Sequence, residues 1–202
     1  TSLIPNLLAA IERSIAHCEQ LKVYEIGRIF EALSNEESSL TPDRLPHQPF
    51  MLAGAIWRKE GGGVARSSLG SDWSHSDRAY FELKGICEDL TEQLNTQVLF
   101  KHSDGGQPVW MHPARCAQVF TQTGIAIGYI GGLHPDVVEG TSLGDYCAFF
   151  EWNLDTLDTL ALTYGEYEEI PRYPAVSYDL SVIVPEAVNY EQIETLVYQA
   201  HK

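Results

Sequence analysis

The sequence predicts an α+β fold, an antiparallel β-sheet flanked by helices. Three observations lead there. Apolar residues recur at helical spacing in some segments and in alternating or β-rich runs in others, the two periods that separate helix from strand. Short, turn-like connections join most of the predicted strands, Gln122-Thr123-Gly124 being the clearest hairpin. The helices fall irregularly among the strands, without the strand–helix–strand rhythm of a doubly wound sheet. The chain has 202 residues, 44% hydrophobic and 20% charged. That is enough for one substantial domain, or one domain and a small piece of another.

Each element has its own signal. Leu3, Leu7, Leu8, Ile11 and Ile15 share one helical face, so residues 2–16 are predicted as an amphipathic helix. Lys22 to Phe30 is rich in β-branched and aromatic residues and is predicted as a strand. Residues 34–49 carry polar side chains with Pro42, Pro46 and Pro49, the composition of a solvated loop. Phe50 to Trp57 is the next predicted strand, closed by the flexible Gly61-Gly62-Gly63 turn. Ser76 or Asp77 is the expected cap of a helix to about Leu94, with Tyr80, Leu83, Cys87, Leu90 and Leu94 on one side. Strands are expected at Val98–Lys101, Ala117–Thr121 and Ile125–Ile130, with Gly131, Gly132 and Pro135 breaking the pattern. Ala148 to Trp152 is the last of this group, and Asn153 is placed to cap a helix from Leu154 to Leu162.

The composition then shifts. Residues 163–174 hold Gly165, Glu166, Glu168, Glu169, Pro171 and Pro174, the expected boundary between a core at 1–170 and a second segment at 171–202. Tyr178, Leu180, Val182 and Val184 alternate as a strand does. Asn189 and Gln192 have capping-box spacing ahead of the helical face Ile193, Leu196, Val197 and Ala200. One strand and one helix bury no core of their own. The chain opens on Thr1 rather than Met and reaches Lys202 inside a helical pattern, so a piece of a longer protein is expected.

Charge narrows the function. A formal net charge of -15 argues against a large nucleic-acid footprint or an anionic membrane surface on this piece alone. Cys18, Cys87, Cys116 and Cys147 are far apart, so buried thiols in a reducing compartment are expected rather than a disulfide or zinc framework. No signal-peptide pattern and no membrane-length apolar run are seen, and the expected location is cytoplasmic.

The search for chemistry assigns no catalytic, cofactor-binding or metal residue. Gly61-Gly62-Gly63 lacks the lysine of a phosphate loop, and Gly124, Gly128, Gly131 and Gly132 lack dinucleotide spacing. Cys116 lies near His112, a pairing that more often is coincidence within one loop. His112 and His134 each precede a proline, with Asp136 after the second, but no metal-ligand spacing accompanies them. The carboxylates Glu36, Glu37, Glu88, Asp89, Glu166, Glu168 and Glu169 fit solvated faces. Arg28 and Arg115, near strand ends, fit salt bridges first and ligand or partner contact second. Tyr164, Tyr167, Tyr173 and Tyr178 cluster at the boundary; base stacking is one use, but the acids among them favour packing.

Several segments, in order, resemble the C-terminal half of the β subunit of bacterial phenylalanyl-tRNA synthetases. They are Thr1-Ser2-Leu3-Ile4-Pro5 with Leu7-Leu8, Tyr24-Glu25-Ile26-Gly27-Arg28-Ile29-Phe30, Leu52-Ala53-Gly54, and Trp73 with Tyr80-Phe81-Glu82-Leu83-Lys84-Gly85. His112-Pro113-Ala114-Arg115-Cys116-Ala117, Gly128 to Pro135 and Phe150 to Asp155 continue the series. Ala114, Cys116 and Gly132 depart from the usual glycine, serine and glutamate. The resemblance implies a class II synthetase-like core that has lost the Gly-rich, arginine-bearing final motif, since Phe149 to Asp155 carries neither residue type. It implies that Pro174 to Leu180 begins a ferredoxin-fold anticodon-binding domain, with Tyr178 where arginine is usual.

That likeness also implies a role. The core assembles with a catalytic α subunit, which binds ATP, Mg2+ and phenylalanine, in a tetramer of two α and two β chains that charges tRNA. The chain alone is expected to be inactive, to bind tRNA weakly and to contact no membrane. The structural elements expected to carry assembly are the Leu3–Ile15 helix, the Arg28 strand end and the Phe81–Leu94 helix. A free-standing synthetase-like paralogue acting as a binding module is the alternative, and an enzyme with an unrecognised site the third reading.

Overall fold

The computed structural model describes residues 2–31, 45–59, 75–102, 106–144, 146–160, 174, 176–185 and 187–200. The chain divides into two compact units, Thr1–Gly165 and Glu166–Lys202. In the first, helix α1 (Ile4–Ser14) leads into strands β1 (Gln20–Arg28) and β2 (Phe50–Arg58). Helix α2 (His75–Gln93) follows, then β3 (Val98–His102), β4 (Met111–Thr121) and β5 (Ala126–Leu133). A short helix α3 (Pro135–Glu139), strand β6 (Cys147–Asn153) and helix α4 (Leu154–Thr159) complete it.

The six strands form one sheet in the order β1-β2-β6-β5-β4-β3. Every neighbouring pair is antiparallel, as the predicted α+β class requires. Strand β6 is inserted between β2 and β5 and is therefore flanked on both edges. Its run Cys147-Ala148-Phe149-Phe150 is buried residue after residue, because side chains on both faces are covered.

Two apolar cores lie on the two faces. On one, α1 contributes Ile4, Leu7 and Ile11 against Ala53, Ala55, Trp57, Cys147 and Phe149. On the other, α2 contributes Ala79, Leu83 and Cys87 against Ile56, Val119, Ile130, Ala148, Phe150 and Trp152. The alternation of β6 divides its residues between them: odd numbers meet α1 and even numbers meet α2. Burying a side chain such as Phe149 is worth about 2–3 kcal/mol.

Close approach explains Gly131, which sequence reading treats as a break, and Gly128 in the same strand. Gly131 and Gly132 lie inside β5. A Cβ on Gly131 would stand 2.8 Å from the Arg115 carbonyl oxygen, and one on Gly128 would stand 2.0 Å from that of Glu151. These residues let neighbouring backbones pack tightly rather than ending the strand. Gly124, at φ +86°, is the left-handed position of the β4–β5 hairpin, where the Thr121 N–H donates to the Ile125 carbonyl at 2.8 Å.

Other expectations need correction. Ser76 and Asp77 lie inside α2, which already includes His75, so neither is its N-cap. Strand β4 begins at Met111, not Ala117, with a register shift between Met111 and Cys116 that hides the alternation. Pro135 opens α3 instead of breaking structure, since the first helical turn has no use for its missing N–H. Asn153 caps α4 as its spacing indicates, accepting from the Thr156 N–H at 3.0 Å.

In the second unit, residues 176–185 carry no strand. Alternation supplies a face, but a strand needs a ladder partner, and none of the described residues pairs with this segment. Helix α5 (Tyr190–Ala200) follows. Half of its capping box forms: the Asn189 N–H donates to Gln192 Oε1 at 3.0 Å. The Gln192 N–H goes to the Asn189 carbonyl instead.

Candidate functional site

Of the three elements expected to meet a partner, α1 is committed to its own core. Its apolar face is buried at Ile4, Leu7 and Ile11. Its N-terminus is tied to the sheet: Glu151 of β6 accepts the Leu3 N–H at 2.6 Å and the Ser2 hydroxyl at 3.0 Å. The Ser2 oxygen in turn accepts the Ile4 N–H at 3.1 Å. A carboxylate at a helix N-terminus satisfies donors the helix leaves open and suits the helix dipole.

Helix α2 is committed on its inner side, where Ala79, Leu83, Cys87 and Thr91 follow one another at four-residue spacing. Its outer side shows Phe81, which is 48% exposed, and Ile86. Leu94 lies just past the helix end and is also exposed, so the predicted buried face stops a turn short.

The Arg28 strand end is different. Tyr24 (75% exposed), Ile26 (49%) and Arg28 project from the same face of β1. Their cross-strand partners on β2 are Gly54, Leu52 and Phe50. The Arg28 guanidinium lies 5.5 Å from the Phe50 ring centroid, a cation–π arrangement. One of its N–H groups donates to the Gln48 carbonyl at 2.8 Å. A cation and three apolar side chains are thus presented on one edge of the sheet.

Beyond Tyr24 in the other direction, Glu82 of α2 gathers three partners. Its oxygens lie 3.1 Å from Lys22 Nζ and 3.4 Å from Arg58 Nη2, and it accepts the Tyr146 hydroxyl at 2.5 Å. Burial pushes the Glu82 carboxyl up, but the Tyr146 and Lys22 hydrogen bonds and the Arg58 charge outweigh it and hold the pKa below the ordinary value. Burial and the Glu82 bond push Tyr146 up to about 12. The Arg58 guanidinium also sits 5.1 Å from the Tyr146 ring centroid. This node joins β1, β2, α2 and the segment before β6, and no sequence motif announced it, because its members are distant in the chain.

Those residues singled out for chemistry that lie among the described ones are not brought into a reactive set. His112 Nδ1 accepts the Ala114 and Arg115 N–H groups at 3.1 Å, which occupies the lone pair a base would use. Its Nε2 lies 2.9 Å from Arg115 Nη1. The Cys116 thiol faces the Pro113 carbonyl at 3.8 Å, and burial raises its pKa, which suppresses the thiolate. His134 Nδ1 accepts the Asp136 N–H at 3.2 Å and so caps α3. Glu88 pairs with Lys84, and Asp89 accepts from Gln93 at 3.3 Å. Among the described residues, no three His, Cys, Asp or Glu side chains are placed to hold a metal ion. Gly61 to Gly63, Glu36, Glu37, Glu166, Glu168, Glu169, Trp73, Tyr164, Tyr167 and Tyr173 lie outside the described residues. Tyr178 is 85% exposed in the second unit. No helix of the described residues is long and apolar enough to cross a membrane.

The family described as the phenylalanyl tRNA synthetase beta chain CLM domain matches residues 1–154. The phenylalanine–tRNA ligase beta subunit of Moorella thermoacetica is 31% identical over 185 residues, covering 91% of this chain and 21% of that protein. The beta subunit of Halalkalibacterium halodurans is 32% identical over 200 residues, 98% of this chain and 23% of that protein. That of Bacillus subtilis is 29% identical over 204 residues, with the same 98% and 23% coverage. The chain spans about a fifth of the length of these curated relatives.

Proposed function

Because this chain belongs to the family of the phenylalanyl-tRNA synthetase β chain CLM domain, we propose that it is the non-catalytic assembly core of a phenylalanine–tRNA ligase β subunit. Its task is to hold a catalytic α subunit in the α2β2 enzyme that joins phenylalanine to tRNA at the expense of ATP. The core is class II synthetase-like, and the segment at 171–202 is the opening of a ferredoxin-fold anticodon-binding domain. The enzyme acts in the cytoplasm.

One observation carries the reading: both faces of the central strands are filled with apolar side chains. Phe149 on one face, with Phe150 and Trp152 on the other, occupies the middle of the sheet. A nucleotide site needs convergent charged groups in an open cleft, and here packing takes that place. The nearest sheet carboxylate, Glu151, is held by Ser2 and the Leu3 N–H. Among the described residues no such convergence of charged groups is found, which supports a reading in which the α subunit holds ATP and Mg2+.

The test is co-purification of the folded chain with the α subunit of the same organism, followed by phenylalanine-dependent ATP–pyrophosphate exchange. Stable capture, with exchange activity arising only from α, supports the assembly role. Exchange by this chain alone, or no complex with α from a chain shown to be folded, would overturn it and favour a free-standing binding module.

A further inference from the structure

Among the described residues, no strand uses the outward ladder of the β1 edge. Antiparallel pairing makes alternate residues point their N–H and C=O groups toward opposite neighbours. The Ile29 N–H donates to the Pro49 carbonyl at 3.2 Å, and the Lys59 N–H to the Glu19 carbonyl at 2.8 Å. The register is regular from Gln20↔Arg58 to Arg28↔Phe50. Odd-numbered residues of β1 therefore bond inward to β2. The backbone groups of Gln20, Lys22, Tyr24, Ile26 and Arg28 point outward, and no strand among the described residues receives them.

The same residues place their side chains on one face of the sheet, in the order Lys22, Tyr24, Ile26, Arg28. Cations thus bracket two exposed apolar groups, of which Tyr24 is the more open. A long edge with exposed apolar side chains is what folded proteins ordinarily cover. Here Phe50 widens the apolar strip, while Lys22 and Arg28 are themselves held in place by Glu82 and by the Gln48 carbonyl.

We propose that β1 is a docking edge for an extended segment of the α subunit, which adds to the sheet as a seventh strand. The inference rests on the assembly reading above and gives it an address. Backbone pairing supplies the affinity, and the side chains set the choice of segment. The complementary strand carries, on one face and at two-residue spacing, an acid opposite Lys22, apolar residues opposite Tyr24 and Ile26, and an acid opposite Arg28. A basic or wholly polar strand would place like charges or bare apolar surface in the contact.

The experiment compares α-subunit binding by the wild-type chain with two variants. Ile26→Pro removes an outward N–H and leaves the inward ladder intact, as edge strands tolerate. Arg28→Glu reverses the charge at the far end of the strip. Circular dichroism and melting confirm that each is folded. Binding is expected to weaken at least about tenfold for each, while Val109→Ser, at an exposed residue outside the three expected assembly elements, binds as wild type. Amide exchange supplies an arm that needs no variant: the Lys22, Tyr24 and Ile26 amides are expected to slow in the complex. Unchanged affinity of folded Arg28→Glu and Ile26→Pro chains, or unslowed even-numbered amides, overturns the docking edge alone. Failure of the wild-type chain to bind overturns the assembly reading and the edge together.

Discussion

Helices α1 and α5 are both 11 residues long and both amphipathic, yet only one finds a place to bury its face. In α1, Ile4, Leu7 and Ile11 are buried against the sheet. In α5, Leu196 is 65% exposed and Val197 and Tyr198 lie open with it. The difference is not in the helical signal, since both sequences space their apolar residues correctly. It lies in what each helix has beside it: α1 packs on a six-stranded sheet, whereas among the described residues no strand forms at 176–185 ahead of α5. A short helix gains most of its stability from packing an apolar stripe rather than from propensity, so the same pattern has unequal weight in the two units.

The comparison breaks most decisively in the core. Phe149→Ala removes a ring buried to 0% exposure and is expected to cost about 3–5 kcal/mol. Leu196→Ala in α5 is expected to change stability by no more than about 0.5 kcal/mol. Denaturant titrations of the two variants check this, and equal losses would contradict it. Gly128→Ala is a second strong test. Its new Cβ has only 2.0 Å to the Glu151 carbonyl oxygen, so β5 and β6 must separate and the melting temperature must fall sharply.

Smaller effects sharpen the same contrast. Glu151→Ala leaves the Leu3 N–H and Ser2 hydroxyl without their acceptor, and a lost helix cap is worth about 1–2 kcal/mol. A melt indistinguishable from wild type would mean that α1 is held by packing alone. Glu82→Gln is expected to cost about 1 kcal/mol at neutral pH, because its partners are partly in water. The folded pKa of Glu82 lies below 4.5, so the ionised form is favoured by folding. Its contribution is full above the unfolded pKa and fades as pH falls through the folded one. Wild-type and Glu82→Gln melts should differ at pH 7 and converge as the pH drops below 4.5. A gap that widens on acidification would reverse the sign and remove Glu82 as the anchor.

These contrasts show where sequence reading succeeds and where it stops. Local patterns report local structure well: Asn153 caps α4, Gly124 turns the β4–β5 hairpin, and the Leu83–Cys87 stripe faces the core. Distant pairings leave no such trace. Nothing near Gly131 says that a strand passes close enough to forbid a Cβ, and nothing near Glu82 names Lys22, Arg58 or Tyr146. The alternation from Tyr178 to Val184 has the period of a strand but no partner within reach of its own signal. Of the three elements expected to meet a partner, two have part or all of their apolar face inside the fold. The Arg28 strand end, expected from the sequence alongside the other two, is set apart from them only when burial is known.

Native-state hydrogen exchange on the isolated chain tests the central claim most directly. If the sheet with its two apolar cores is the only self-sufficient part, amides of β2, β5, β6 and α2 exchange at the slowest, global rate. Those of 176–185 and α5 then exchange many times faster. Uniform protection from α1 to α5 would contradict the account, because it would mean that the second unit buries its apolar face without a partner.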